Sequence, residues 1–493
     1  MDISIQAIYK HIIFLFFTSQ YIFCQNPINV VQSNQLDQII VNDTTWQKFA
    51  GNVIIEHLDF KIKSDTIIID EFKTLIKGWG NTEITNDSIS CKSDSINIKK
   101  LQDHIVFYNN TILKTNGMTI YSNQITYDYK NKKLNYYSGG TIKSKNQNIE
   151  SQVFLYNIES KESSFSKNIN LKTQDFVIQT DTMHEYNDTI TFIGMTNIKN
   201  SELDIYCNKG LLKKSNTLIL DNGVKVHVKN EIIQAKKLIR DIKKDTNHFT
   251  EDVKIITEDS THVFGNELTQ LDDVSTITKN CKIKLLNNTD SIIVTGDSIL
   301  INNQDNTIQI NSNVIINGQD LHGSCEIMTF ESNYTEINML TRPVLFFNQT
   351  QLTGEIITLF KQNNQLDSIY IPKNPFIRSP NDSLSYDNQI KGNFLEGKLK
   401  EKSIDFLEFN GNSKMKYFDK NIENKSVLGI NNIEAGKIKI LFDNSNNIKS
   451  MLCVNQVESN HIELDTTKNT MQKVKEITEL DGYQIYSIKV LKN

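Results

Sequence analysis

Six cysteines are too few and too scattered to frame a chain of 493 residues. No two form a C-x-x-C pair, and removal of Cys24 with a leader leaves an odd set: Cys91, Cys207, Cys281, Cys325 and Cys453. These read as small buried residues rather than a thiol catalyst or a zinc site. Nine histidines are equally dispersed, with no H-x-x-x-H and no H-E-x-x-H, so no metal and no cofactor is expected. Charge of either sign is not in excess. Lys and Arg number 53 against 58 Asp and Glu, a net charge of −5, which argues against an electrostatic nucleic-acid binder. Carboxylates are common, but many fall at turns and proposed corners (Asp65, Asp94, Asp297), where solvated polar residues belong. No catalytic residue stands out, and the chain is not expected to be an enzyme.

Long apolar runs are also missing. The nearest approach is Ile12-Ile13-Phe14-Leu15-Phe16-Phe17, preceded by Lys10 and followed by Tyr21-Ile22-Phe23-Cys24 and polar Gln25-Asn26-Pro27. It is too short and interrupted for a membrane-spanning helix. Its layout predicts a secretory signal peptide over residues 1–24, cleaved after Cys24. A lipoprotein reading would acylate Cys24, but Phe23 is bulky where that processing prefers a small residue. The remaining composition, 38% apolar and 23% charged, suits a folded protein.

What the chain does have is a repeat. The phrase Ile62-Lys63-Ser64-Asp65-Thr66-Ile67-Ile68-Ile69-Asp70 returns around Ser93 (Ile89, Cys91, Ile96, Ile98), Ser122 (Ile120, Ile125, Tyr127) and Ser151. These serines are 29 residues apart each time. Looser copies centre on Thr180, Cys207, Ala235, Gly265, Gly296, Gly323 and Gly354, at spacings of 27 to 31. Apolar residues alternate within each copy, which is the strand period, but the alternation slips by one at the small residue. A strand keeps one face buried across such a slip only if it bulges or turns a corner there. A second phrase, Gly51-Asn52-Val53-Ile54-Ile55, echoed at Gly80-Asn81, Gly140-Thr141, Asn222-Gly223 and Asn313-Val314, reads as the start of another strand. The connections are too short for crossover helices, so pairing is expected to be antiparallel.

Around residue 340 the texture changes. Four of the five prolines follow it (Pro343, Pro372, Pro375, Pro380), and copies of the phrase become sparse, as at Gly392 and Ala435. The organisation expected is a repeated β domain over 25–340, a second, variant β domain over 341–460, and a tail over 461–493. Met471, Val474, Ile477 and Leu480 fall at helical spacing in that tail. Glycine 210 and Glu326 fall where the apolar pattern calls for an inward residue and are expected to interrupt the interior.

The signal peptide with Gly51-Asn52-Val53-Ile54-Ile55, Ser64-Asp65-Thr66-Ile67-Ile68-Ile69-Asp70, Tyr127-Asp128-Tyr129 through Tyr137-Ser138-Gly139-Gly140, Gln389-Ile390-Lys391-Gly392 and Leu428-Gly429-Ile430-Asn431-Asn432 resembles the OstA-like (organic solvent tolerance) family over about residues 45–455. The resemblance implies an all-β, elongated antiparallel β-jellyroll, a taco-like solenoid of two stacked parts. It implies a periplasmic bridge that binds lipopolysaccharide or a similar amphiphile and serves outer-membrane assembly, in association with the outer membrane. Partners would be other OstA-like transport proteins, joined end to end by strand pairing. The lipid would lie collectively against Val53, Ile55, Ile62, Ile67, Ile69, Ile89, Ile96, Ile98, Ile120, Ile125 and Tyr127, since an acyl chain needs a dry aliphatic surface. The alternative from a different class is a structural or adhesive β-solenoid at the cell surface, binding proteins or glycans.

Overall fold

The computed structural model describes residues 28–487 except 42, 229–230, 258–260, 287–290, 332–334, 363–364, 381–386, 401–402, 421–426, 444–447 and 464–477. The predicted leader over 1–24 lies outside the described residues. The fold is all-β and antiparallel, strand following strand through tight turns. The chain divides into two compact units, residues 1–200 and 201–493.

In the first unit, the strand Thr44–His57 pairs with Phe60–Asp70, which pairs with Leu75–Thr85, then Ser90–Lys99, His104–Thr115 and Met118–Asp128. Every one of these pairings shifts register once, near its middle. The shift is the corner that the parity slip predicts. Along Phe60–Asp70 the alternating buried residues are Phe60, Ile62 and Ser64 before it and Ile67 and Ile69 after it, with Asp70 buried at the strand's end. Each strand therefore contributes one half to each of two walls and keeps the same side inward in both.

The corner is built by two kinds of strand in alternation. One carries a pair of left-handed residues: Gly51 and Asn52 (φ 81° and 47°), Gly80 and Asn81 (78° and 46°), Asn109 and Asn110 (58° and 46°). Only Gly and, at modest cost, Asn adopt this conformation readily. The other strand carries the small residue of the repeat phrase. Its hydroxyl covers carbonyls that the bulge takes out of the ladder: Ser64 Oγ donates to Trp79 O at 2.9 Å, and Ser122 Oγ to Gly139 O at 2.7 Å. Outside the corner, the next residue is clasped by the left-handed asparagine. Asn81 Nδ2 donates to Asp65 Oδ2 at 2.9 Å, and Asn110 Nδ2 to Asp94 Oδ2 at 2.8 Å.

The Gly-Asn phrase is thus not a strand start. Thr44–His57 runs unbroken through Gly51-Asn52, and Leu75–Thr85 through Gly80-Asn81. The physical reason is that two successive positive φ angles make a bulge inside a strand as readily as a hairpin turn between strands.

The second unit repeats the device. Left-handed pairs stand at Asn222-Gly223, Glu251-Asp252, Lys279-Asn280, Ser312-Asn313, Thr341-Arg342 and Gly411-Asn412. Small residues at the facing position are crowded: a Cβ on Gly265 would lie 2.3 Å from Ile277 Cγ2, and one on Gly296 2.4 Å from Ile310 Cγ2. The exposed clasp persists, with Asn313 Nδ2 on Asp297 Oδ2 at 2.9 Å, Arg342 on Glu326 at 2.5 Å and, with charges reversed, Lys236 on Asp252 at 2.9 Å.

Two expectations need correction here. In the strand Leu321–Glu331 the corner residue is Cys325, not Gly323, which makes the spacing 29 to Gly296 on one side and 29 to Gly354 on the other. Glu326 is then the clasp carboxylate, equivalent to Asp65, and Met328 and Phe330 continue the buried face without a gap. Gly210 lies buried opposite Leu220, beside the pair Leu212 and Leu218, so its lack of a side chain is met from the neighbouring strand.

Candidate functional site: the interior between the walls

The residues expected to contact lipid all point inward and all are buried, none more than 3% exposed. They divide between the walls. Val53, Ile55, Ile62, Ile89 and Ile120 lie on the first, and Ile67, Ile69, Ile96, Ile98, Ile125 and Tyr127 on the second. On the first wall a single row runs strand to strand through Ile55, Ile62, Ile84, Cys91, Leu113 and Ile120, then on through Ile142, Ile149, Leu171, Ile178 and Ile198. On the second, Ile69, Ile76, Ile98, Ile105, Tyr127 and Leu134 form another. Unbroken apolar rows follow because a 29-residue repeat of two strands returns the same inward positions to the same height.

The two walls touch each other with a stagger. Phe60, on the first wall, meets Tyr127, on the second wall of the strand four further on, edge to face at 6.2 Å. Asn116, in the turn at the rim of the first wall, donates to Tyr156 OH at 2.8 Å and to Ile158 O at 3.1 Å. Gln147 at that rim reaches Glu185 at 3.1 Å. In the second unit an apolar cavity of about 20 Å³ opens between the walls, lined by Leu285, Val294 and Ile316 on one side and Met328, Phe330 and Leu359 on the other. It holds one or two waters' worth of space, far below the 300–1,000 Å³ typical of a small-molecule pocket.

Polar groups also enter the interior, His57 and Arg240 among them. Tyr136 OH pairs with Ser151 Oγ at 2.8 Å, whereas the Tyr127 hydroxyl has no hydrogen-bond partner among the described residues. Burial pushes both phenols up to about 12, so they are neutral. Burial likewise pushes the Cys91 thiol up, and Cys207 to about 11 and Cys325 to about 12. All five described cysteines are free. Among the described residues no group of three or more His, Cys, Asp or Glu could hold a metal ion. No helix among them is long and apolar enough to cross a membrane. The interior can therefore bury apolar surface along both walls.

Residues 25–181 match the family model described as OstA-like protein. This segment is similar to that family. It takes in the repeats from Gly51-Asn52 to Thr180 and the first-wall row as far as Ile178. Among solved structures, the chain aligns with LptH from Pseudomonas aeruginosa, described as the LptA-homologous periplasmic component of a lipopolysaccharide transport device. That alignment covers 21% of this chain and 76% of that one, at 16% identity and a TM-score of 0.19. No curated protein matches.

The repeat pattern marks these residues as inward-facing but does not show two further features. The stagger between walls leaves no mark within a single strand. The left-handed pairs did leave one, in the recurring Gly-Asn and Asn-Gly steps, which were read as strand boundaries.

Proposed function

We propose that this protein is a periplasmic bridge that binds lipopolysaccharide, or an amphiphile like it, and contributes to outer-membrane assembly. The observation that supports this reading most is the continuous first-wall row from Ile55 to Ile198, within a segment most of which matches the OstA-like family. An acyl chain laid along such a row exchanges water for aliphatic side chains at about 25 cal/mol per Å² of apolar surface. No residue acts alone, and none is catalytic. In this reading the lipid enters by parting the walls, at the rims where Asn116 and Gln147 hold them together.

In this reading further OstA-like proteins join at the ends. At one end Asn29–Gln32 and Gln35–Val41 pair with Thr44–His57 on one side, and Leu36, Ile40 and Val41 of this edge are exposed. At the end of the second unit Ile448–Val454 and Glu458–Glu463 pair with Val427–Phe442. Open strand edges add a partner's strand through main-chain hydrogen bonds. The part after residue 340 serves as a variant second domain of the same bridge.

The test is photo-crosslinking from Ile67 and Ile125 in cells. Labelling of lipopolysaccharide from both supports the conduit. Labelling from neither, with the protein folded and the lipid present, refutes it. Fractionation separates it from a surface adhesin: release with the periplasm is expected, and sensitivity to external protease counts against it.

A further inference from the structure

The outer face of the second unit carries a site that the conduit does not use. On the strands Thr350–Thr353, Phe376–Ser379 and Asn388–Lys391, Leu352, Ile377 and Ile390 stand in register and face inward. The alternate row, Gln351, Arg378 and Gln389, faces outward. Outward glutamines on a sheet are ordinarily solvated, yet Gln351 is 1% and Gln389 2% exposed. What covers them is the chain's own segment 478–486.

The recognition is of main chain. Gln389 Nε2 donates to Thr478 O at 2.9 Å, and its Oε1 accepts from Leu480 N at 2.7 Å. Gln351 does the same six residues on, donating to Gln484 O at 2.9 Å and accepting from Tyr486 N at 3.0 Å. Each carboxamide thus engages the C=O of one residue and the N–H two residues later, as a neighbouring strand residue would. Between these contacts the segment turns at Asp481-Gly482, with Gly482 at φ 92°, and Lys391 Nζ holds Asp481 O at 2.9 Å. Tyr483 OH donates to Asp387 at 2.6 Å, and Asp387 is itself bonded by Arg378.

The fit is specific and the hold is shallow. Thr478 is buried, but Ile485 is 64% and Tyr486 38% exposed. A segment that buries little apolar surface opens at low cost, while the polar site beneath it is fully formed. We propose that segment 478–486 is an exchangeable arm, and that the site marked by Gln351 and Gln389 takes the same segment of a second copy of this chain, joining copies side by side. Within one chain the arm has the advantage of high effective concentration, so exchange appears where copies are crowded.

A complementation experiment with full-length chains tests this. One chain carries Thr478→Ala and Tyr483→Ala, which loosens its arm and leaves its site intact. The other carries Gln351→Met and Gln389→Met, which keeps side-chain bulk and removes all four carboxamide contacts to the arm. The pair should associate at least tenfold more tightly than either chain with itself. A synthetic peptide of residues 478–487 should reverse that excess, and the same peptide with Gly482→Val should not. Hydrogen exchange at Leu480 and Tyr486 in the first chain should be at least tenfold faster than in the unaltered protein. No excess association, with those amides exchanging freely, overturns the proposal. Amides as protected as in the unaltered protein overturn it as well, because the arm then does not detach. Association through strand edges is common to all pairings and cancels in the comparison.

Discussion

If the corner is made by left-handed residues rather than by small or polar ones, replacing Asn109 and Asn110 will separate the two. Both are exposed, with φ 58° and 46°, in the middle of His104–Thr115. In an ordinary strand, valine stabilises and glycine weakens. Here the order should invert. A left-handed non-glycine residue costs roughly 1–2 kcal/mol, and a branched side chain sits at the upper end of that range. Losing the Asn110–Asp94 hydrogen bond adds about 1 kcal/mol. The double change to valine should therefore cost about 3–5 kcal/mol. The double change to glycine relieves the backbone, loses the same bond and pays glycine's larger unfolded-state entropy, for a total of about 1–2 kcal/mol. The difference of about 2 kcal/mol moves a urea midpoint by roughly 1 M, at a slope of about 2 kcal/mol per M. Lys114, exposed on the straight part of the same strand, is the control: there the valine variant should be the more stable. Equal midpoints for the two corner variants, or a more stable valine variant, would refute the left-handed corner.

Further outcomes follow from the packing and from the buried groups. Ile67→Ala and Phe107→Ala, both at fully buried positions, should each cost about 2–5 kcal/mol in urea unfolding. In the native protein at pH 8, iodoacetamide should modify Cys453, which is half-buried, well before Cys91, Cys207 or Cys325, whose thiols burial keeps protonated; mass spectrometry of the labelled protein reads the order. Tyr136 titrates at about 12 in the fold and near 10 when unfolded, so its contribution is complete below pH 10 and is lost as pH rises through 12; Tyr136→Phe should flatten that alkaline decline. Glu408 behaves oppositely. The hydrogen bond from Lys437 at 2.7 Å holds its carboxyl below the usual glutamate value. Its contribution is present above the unfolded value and lost as pH falls through the lowered one, so Glu408→Gln should remove part of the acid sensitivity of unfolding.

Much of the fold was legible because the repeat writes the same geometry many times. The parity slip at Ser64 could mean a bulge or a corner in one strand, but its return at Ser93, Ser122 and Ser151 at one period left the corner as the economical reading. Its frame was recoverable too: Cys325 restores the spacing of 29 that Gly323 breaks, and assigns Glu326 to the same clasp as Asp65. Less legible were features that depend on non-neighbours. Nothing near Phe60 in sequence points to Tyr127, because the stagger is set by how the walls twist and close. The arm was beyond reach for a different reason. Gln351 and Gln389 look like any outward polar residues of a strand, and only the segment lying over them gives them meaning.

The stagger of the walls bears on how such a chain can lengthen. Because Phe60 faces a strand four further on, each strand answers to partners beyond its immediate neighbours. A single hairpin gained or lost restores every corner and every pairing, and yet it changes which residues meet across the interior for several strands on either side. Growth by duplication thus favours inward positions that are interchangeable, one branched aliphatic residue facing another. That is a reason for the rows to be so largely isoleucine and leucine, independent of any cargo they carry.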